Sequence, residues 1–285
     1  MSERKGLVSV LIPCYNHERF VADCLQSILH QTYTGYEVII CDDCSGDRSV
    51  AVIREQAQLF AECGIRFVLL ENEQNQGITK NINRMLREAQ GEYVKIIASD
   101  DMMAENYMAE MTALMERNNS WKLLFSNGFK VREAAAYPVA QEYREELLVP
   151  EEPDCTNHIL ERVYSHNFVP APTILFRKSV LEEVGGYDES IGIEDLEMLL
   201  RVLKEYPQGL GYCEKRLVYY RLNDNSLTSM TNNSGVRRRA RFMYKNSVAI
   251  AKKYRKQVSG AVYRRRMHEL RMDYLIKQVL MILRG

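Results

Sequence analysis

No stretch of this 285-residue chain reaches the roughly 18 consecutive apolar residues that a membrane-spanning helix needs. A secretory leader is not expected either, because Met1 to Gly6 is polar and runs straight into an apolar segment. The seven cysteines, at 14, 24, 41, 44, 63, 155 and 213, are odd in number and scattered, which fits reduced cytosolic thiols and not a disulfide framework. Cys41 and Cys44 form a lone C-x-x-C, with no second Cys or His pair at zinc-like spacing. Internal repeats and low-complexity segments are missing. So is a Gly-rich phosphate loop after the first apolar run, where Pro13-Cys14-Tyr15-Asn16 stands instead.

Net charge is also absent, with 38 basic and 38 acidic residues, but the balance is uneven along the chain. From Arg237 to Gly285 there are 15 Lys/Arg against Glu269 and Asp273, a charge of +13, which leaves −13 on residues 1–236. We therefore divide the chain into a body, 1–235, and a basic helical tail, 236–285. The tail suits an anionic membrane surface, or a helical face docking on the acidic body; nucleic acid is not expected as a partner.

What is present is an alternation of strand and helix. Leu7 to Ile12, Glu37 to Cys41, Ile65 to Leu70 and Tyr93 to Ala98 are short runs rich in Val, Ile and Leu. Between them lie helical patterns over Asn16–Gln31, Arg48–Cys63 and Ile78–Ala89. This predicts an α/β fold whose central sheet is mostly parallel, with helices on both faces. Further strands are expected over Trp121–Val131, Thr173–Phe176 and Leu217–Tyr220, about seven in all. Glu133–Pro153 reads as a long surface loop, and two helices follow from about Val236.

Two of the strand runs end in acidic pairs, Asp42-Asp43 and Asp100-Asp101. In parallel sheets, ligands bind outside the carboxyl ends of the strands. Adjacent carboxylates there suit Mg²⁺ or Mn²⁺ held together with phosphate oxygens, as a sugar nucleotide requires. Asp43 can accept from a base or ribose hydroxyl, and Tyr15 can lie against a nucleobase. Asn75, Gly77 and Asn83 surround the expected start of the third helix, where backbone N–H groups can meet phosphate. Glu194-Asp195 opens a later helix with a Leu-rich opposite face. It either complements the helix dipole or supplies a general base. A helix N-terminus lowers a carboxylate pKa and so works against the second role.

VSVLIPCYN at 8–16, QSILHQ at 26–31, CDDCSGD at 41–47, NQG at 75–77, GEYVKIIASDD at 91–101, FRKSVLEEVGGYDES at 176–190 and IEDLEMLLRV at 193–202 together resemble the family 2 inverting glycosyltransferases of the GT-A fold. The resemblance runs in order over residues 7 to about 230. It implies a nucleotide-diphospho-sugar donor, Mg²⁺ or Mn²⁺, and a single displacement that inverts the anomeric carbon. It implies nucleoside-binding roles for Pro13, Tyr15 and Asp43. Asp100 and Asp101 then form a D-x-D-type motif with Asp101 on the metal, and Asp195 is the catalytic base. Arg177, Glu194, Gly186, Tyr187 and Asp188 fall on the sugar and acceptor side. At 223, where many members carry His, this chain has Asn223. The family's part in bacterial surface-polysaccharide assembly implies a saccharide acceptor, often lipid-linked, and a cytoplasmic site on the inner face of the membrane. A nucleotidyltransferase and a non-catalytic nucleotide-sugar or glycan-binding module are the rival readings. The first lacks its phosphate loop, and the second has no use for both Asp101 and Asp195.

Overall fold

The computed structural model describes residues 4–223 and 235–283, with side chains as far as Val279. Four strands, β1 (Arg4–Cys14), β2 (Tyr36–Asp42), β3 (Phe67–Glu71) and β4 (Gly91–Ile96), lie in the order β3-β2-β1-β4, all parallel. The helices α1 (Val21–Leu29), α2 (Ser49–Glu62) and α3 (Ile78–Glu88) connect them. Strand residues alternate between two cores as the two-residue period requires. Val10, Ile12, Val38 and Ile40 pack towards α1 and α2, whereas Leu11, Ile39, Cys41 and Val94 pack towards α3. Every residue of β2 is buried because the sheet is covered on both faces.

Beyond β4 the sheet loses its single direction. It continues through β8 (Ile174–Arg177), β6 (Leu123–Val131) and β9 (Leu210–Arg221) to β5 (Met102–Met103), and β7 (Arg144–Leu147) adds to β6. In this half only the β6–β9 pair is parallel, while β4–β8, β6–β8, β6–β7 and β5–β9 are antiparallel. The described residues thus form a nine-stranded sheet, against about seven strands expected. The two additions are β5, only two residues long, and β7, which lies inside the stretch expected to be loop. The remaining helices are α4 (Tyr107–Arg117), α5 (Ile159–Ser165), α6 (Lys178–Glu183), α7 (Glu194–Glu205), α8 (Val236–Lys253) and α9 (Gly260–Leu283).

The boundary at 235/236 marks a change of charge but not a separate core. Ile250, Ala251 and Tyr254, on or just after α8, are buried in the same cluster as Leu196, Leu199 and Leu203 of α7. The Tyr164 hydroxyl of α5 donates to the Ala251 carbonyl at 2.9 Å. Lys253 Nζ lies 2.6 Å from both Asp188 and Glu197, so the body does neutralise part of the tail. Helix α9 folds back on α8, with Tyr274 stacked on Tyr244 at 4.5 Å between centroids.

Candidate active site

The ends of β1 and β2 meet first. The Asp43 N–H donates to the Cys14 carbonyl at 2.9 Å, which brings Asp43 beside the turn holding Pro13 and the exposed Tyr15. The Asp43 carboxylate accepts from the N–H groups of Gln76 (2.7 Å) and Gly77 (2.9 Å) and from the Asn72 amide (2.8 Å). Burial alone would raise its pKa, but these donors prevail and hold it below the usual range. Asp43 therefore orders the loop into α3 as an ionised acceptor. The Asn81 side chain is a further donor that lowers its pKa. Asn75 is exposed on this loop, and Gly77, at φ +83°, makes the turn into α3. Asp42 is occupied locally, accepting from the Ser45 N–H (2.9 Å) and hydroxyl (2.6 Å).

The end of β4 joins this corner through His17, whose Nδ1 lies 2.8 Å from Ser99 Oγ and 4.0 Å from Asp100 Oδ1. Asp101 is buried, and its Oδ1 accepts the Arg221 backbone N–H at 2.9 Å. Burial first, then the charge of Asp100, pushes the Asp101 pKa well above the carboxylate range, against the opposing charges of Lys95 and Arg221. Among the described residues no group of three or more His, Cys, Asp or Glu could enclose a metal ion. A cation would therefore be held by one or two carboxylates together with substrate phosphates, the arrangement that suits Mg²⁺. Buried Asp101 beside Asp100 fits that demand, because a cation offsets the like charge that helps to raise the Asp101 carboxyl. Asn223 is buried two residues beyond Arg221, at the same strand end.

The third group forms around α7. Glu194 and Asp195 are half-buried at its N-terminus. Burial, then the Asp195 charge, raises Glu194 to about 8. Asp195 is raised by burial against its own N–H and that of Leu196. The expected lowering by the helix N-terminus is thus outweighed, and the pair is more basic than its position in the helix implied. Tyr187 packs beside it, its phenol pushed up by burial and then by the charges of Glu194, Asp195 and Glu197.

Helix α3 joins these groups. Gly77 at its start is held by Asp43. Asn83, one and a half turns on, accepts the Tyr187 N–H at 2.8 Å and donates to the Tyr187 carbonyl at 2.9 Å. Asn83 was expected near phosphate at the helix start, but it pins the Gly186–Tyr187 turn instead. Gly186 sits at φ +72°, and a Cβ there would lie 2.9 Å from Asn83 Oδ1. Asp188 is bound by Lys253 and Ser190, which hold its carboxyl well below the ordinary range, so it acts as an ion-pair partner of the tail.

Arg177 is not brought into this site. It pairs with Tyr93 at the start of β4, away from the end that leads to Asp100. Its guanidinium donates to the carbonyls of Trp121 (2.9 Å) and Met115 (2.7 Å) and reaches Glu92 at 3.3 Å. The family resemblance had implied the sugar side, but its donors are spent at the opposite end of the strands.

Two charged residues escaped the sequence reading. Arg221 is buried, stacks 5.0 Å over Phe20, and donates to the carbonyls of Asp100 (2.8 Å), Glu133 (2.6 Å) and Ala135 and to Asp23 (3.1 Å). Lys95 is buried within β4, 4.5 Å over the Tyr107 ring, and donates to the Pro172 carbonyl. Burial lowers it to about 7, opposed by the charge of Asp101. The one available signal was the type of residue itself: a Lys and an Arg inside otherwise apolar strands need partners.

A parallel half joined to a mixed second half, with acids at the strand ends and at the start of α7, is a GT-A architecture. The chain belongs to glycosyl transferase family 2, whose sequence profile matches residues 9–185, and is accordingly a glycosyltransferase. It is 26% identical over 227 residues to glycosyltransferase EpsE of Bacillus subtilis, covering 77% of this chain and 73% of that protein. It is 33% identical over 113 residues to WfgD of Escherichia coli, a UDP-Glc:alpha-D-GlcNAc-diphosphoundecaprenol beta-1,3-glucosyltransferase, covering 40% and 42%. Among solved structures, Staphylococcus aureus TarS 1–349 in complex with UDP superposes with a TM-score of 0.62 at 19% identity, over 92% of this chain and 70% of that one. The Pyrobaculum calidifontis mannosyltransferase PcManGT, in complex with GDP-Man and Mn²⁺, gives 0.60 at 16% identity, over 96% and 86%. At these identities the structural likeness concerns the fold alone.

Proposed function

We propose that this enzyme moves a sugar, with inversion, from a nucleoside-diphosphate donor to a hydroxyl of a saccharide acceptor in surface-polysaccharide assembly. The observation that carries the reading is the pair of acidic groups set apart by α3: Asp43 and Asp100-Asp101 at the strand ends, and Glu194-Asp195 at the start of α7. Asp43, ionised and already holding its loop, accepts from the nucleoside, with Tyr15 and Pro13 beside it. Asp101 with Asp100 would hold Mg²⁺ or Mn²⁺, which when bound neutralises charge on the departing diphosphate. Asp195, its proton affinity raised by burial, takes the acceptor proton as the hydroxyl oxygen bonds to the sugar. The acceptor enters on the side of Glu194, Gly186 and Tyr187.

The donors named for the relatives set the test. UDP-glucose, UDP-GlcNAc and GDP-mannose, each with Mg²⁺, Mn²⁺ or EDTA, are offered to the full chain, and release of nucleoside diphosphate is followed with saccharide acceptors, including diphospholipid-linked ones. Cation-dependent transfer, with inverted product by NMR, is expected. Retention at the anomeric carbon would overturn the mechanism.

A lipid-linked acceptor also gives α9 a role. Met272, Leu275, Ile276 and Val279 follow helical spacing on one face and are 42–54% exposed. Basic Arg264, Arg265, Arg271 and Lys277 are interleaved along the same helix. Such a face suits the interface of an anionic leaflet. Tyr274, expected to join it, is stacked on α8 instead, and the side chains of Leu280, Ile282 and Leu283 lie outside the described residues. Among the described residues no helix is long and apolar enough to cross a membrane. Replacing Leu275, Ile276 and Val279 by Ser should reduce co-sedimentation with phosphatidylglycerol vesicles and leave cation-dependent turnover of a water-soluble acceptor intact. Undiminished sedimentation would remove the membrane role.

A further inference from the structure

Helix α8 grips the segment carrying Glu194-Asp195 from both sides. We propose that Phe242, Asn246 and Lys253 are positioning residues that hold the catalytic base in its reacting geometry. The inference rests on the reading of Asp195 as that base. The family profile ends at residue 185, so neither the base nor its clamp lies in the stretch it matches.

Ahead of the pair, Asn246 Oδ1 accepts the Gly192 N–H at 2.8 Å. The other end of the amide donates to the Phe242 carbonyl at 2.9 Å, so both ends of this buried side chain are committed and its orientation is fixed. The Phe242 ring covers Gly192 so closely that a Cβ there would lie 2.3 Å from the ring. Lys253 spans the pair, reaching Asp188 before it and Glu197 after it, each at 2.6 Å. The Tyr254 hydroxyl adds a bond to Glu197 Oε1 at 3.0 Å. Positions 242, 246, 250, 253 and 254 share one face of the helix, so a single rigid element sets all of these contacts. Between Asp188 and α7 the chain has no ladder partner among the described residues, and the Asp188–Ile191 turn is its own backbone contact. Ahead of Gly192 the segment is also held by Asn83, which donates to Glu189 at 3.0 Å, and by buried Ile191, so α8 supplies the contacts nearest the pair. Misplacing a catalytic group by about 1 Å costs up to ~10²-fold in rate.

The test is a double-mutant cycle on the full chain, using the nucleotide sugar selected by the donor panel. Asn246→Ala is expected to lower kcat ~10- to 100-fold with donor KM unchanged. In an Asp195→Asn background the same substitution should cost nothing further, because the group it positions is gone. Lys253→Met supplies a second cycle should Asn246→Ala fold poorly, and Lys253→Arg, which keeps both ion pairs, should retain the kcat that Lys253→Met loses. An equal loss from Asn246→Ala or Lys253→Met in both backgrounds would show that α8 acts through general packing and would overturn the proposal. If Asp195→Asn alone transfers as fast as the native chain, the reading of the base fails first, whatever α8 does.

Discussion

Asp43 and the Glu194-Asp195 pair are carboxylates removed from water to different ends. Asp43 is the more buried in area, yet the donors aimed at it, from Asn72, Gln76, Gly77 and Asn81, keep it ionised. Glu194 and Asp195 stand at a helix N-terminus, the ordinary place for a stabilised anion, yet their proton affinity rises because burial, joined for Glu194 by the Asp195 charge, exceeds what a few N–H groups supply. Neither burial nor the helix dipole decides a carboxylate's chemistry by itself. The number of donors directed at it does, and that separates an acceptor suited to a nucleoside from a base suited to a proton.

The sharpest way to break this contrast is to remove each acid's charge. Asp195→Asn should reduce transfer by ~10²–10⁴-fold, the usual cost of a general base, and leave donor affinity by calorimetry unchanged. Asp101→Ala should instead abolish cation-dependent donor binding. If both variants lost donor affinity alike, the division of labour between the two ends would be wrong.

The next effect is on stability. Arg221 lies under both Asp100 and Asp101, and Arg221→Met would strip the buried Asp101 of a nearby positive charge while leaving three carbonyls short of a donor. Breaking a buried ionic arrangement of this kind costs about 3–5 kcal/mol, which urea unfolding would register. A loss of that size, independent of added nucleotide, is expected; a change near zero would mean that Arg221 is dispensable to the fold.

The smallest effect concerns pH. The folded pKa of Asp43 lies below its unfolded value near 3.8, so its contribution is present above that value and is lost as pH falls through the folded pKa. Glu194 runs the other way. Between its unfolded value of 4.5 and its folded value of about 8, the folded chain holds more protons than the unfolded one, so stability declines as pH rises across that window. Glu194→Gln should flatten the decline in Tm between pH 5 and pH 8, and Asp43→Asn should flatten the fall below pH 4. An unchanged slope in Glu194→Gln would contradict the raised proton affinity.

The parallel half was legible in the sequence because helices with a 3.6-residue period separate strands that are apolar runs, two of them buried on both faces over Val8–Ile12 and Tyr36–Asp42. The second half was less so. Strand β5 is two residues long, and β7 reads Arg-Glu-Glu-Leu, with no alternation to betray it. Site residues at strand ends, Asp43 and Asp100-Asp101, could be found from position alone. The use of Arg177, Asn83 and Asp188 could not, since each depends on a partner 65 or more residues away or on a neighbouring strand. The tail's charge and its option of docking on the acidic body were visible, but the contacts of α8 were not, because Asn246 and Lys253 look like ordinary polar positions until Gly192 and Glu197 are set against them.

That docking has a consequence during synthesis. The strands of the parallel half and α3 are all complete by residue 96, and they can pair as soon as they emerge. The contacts that secure Gly192 and Glu197 come from residues 242–254, so the base-bearing loop is made well before its cover. At about 5–20 residues per second this delay lasts on the order of several seconds. A nascent chain thus completes the Asp43 corner before the residues that secure Gly192 and Glu197 are made, so a ribosome that stalls before α8 leaves the first formed and the second unsecured.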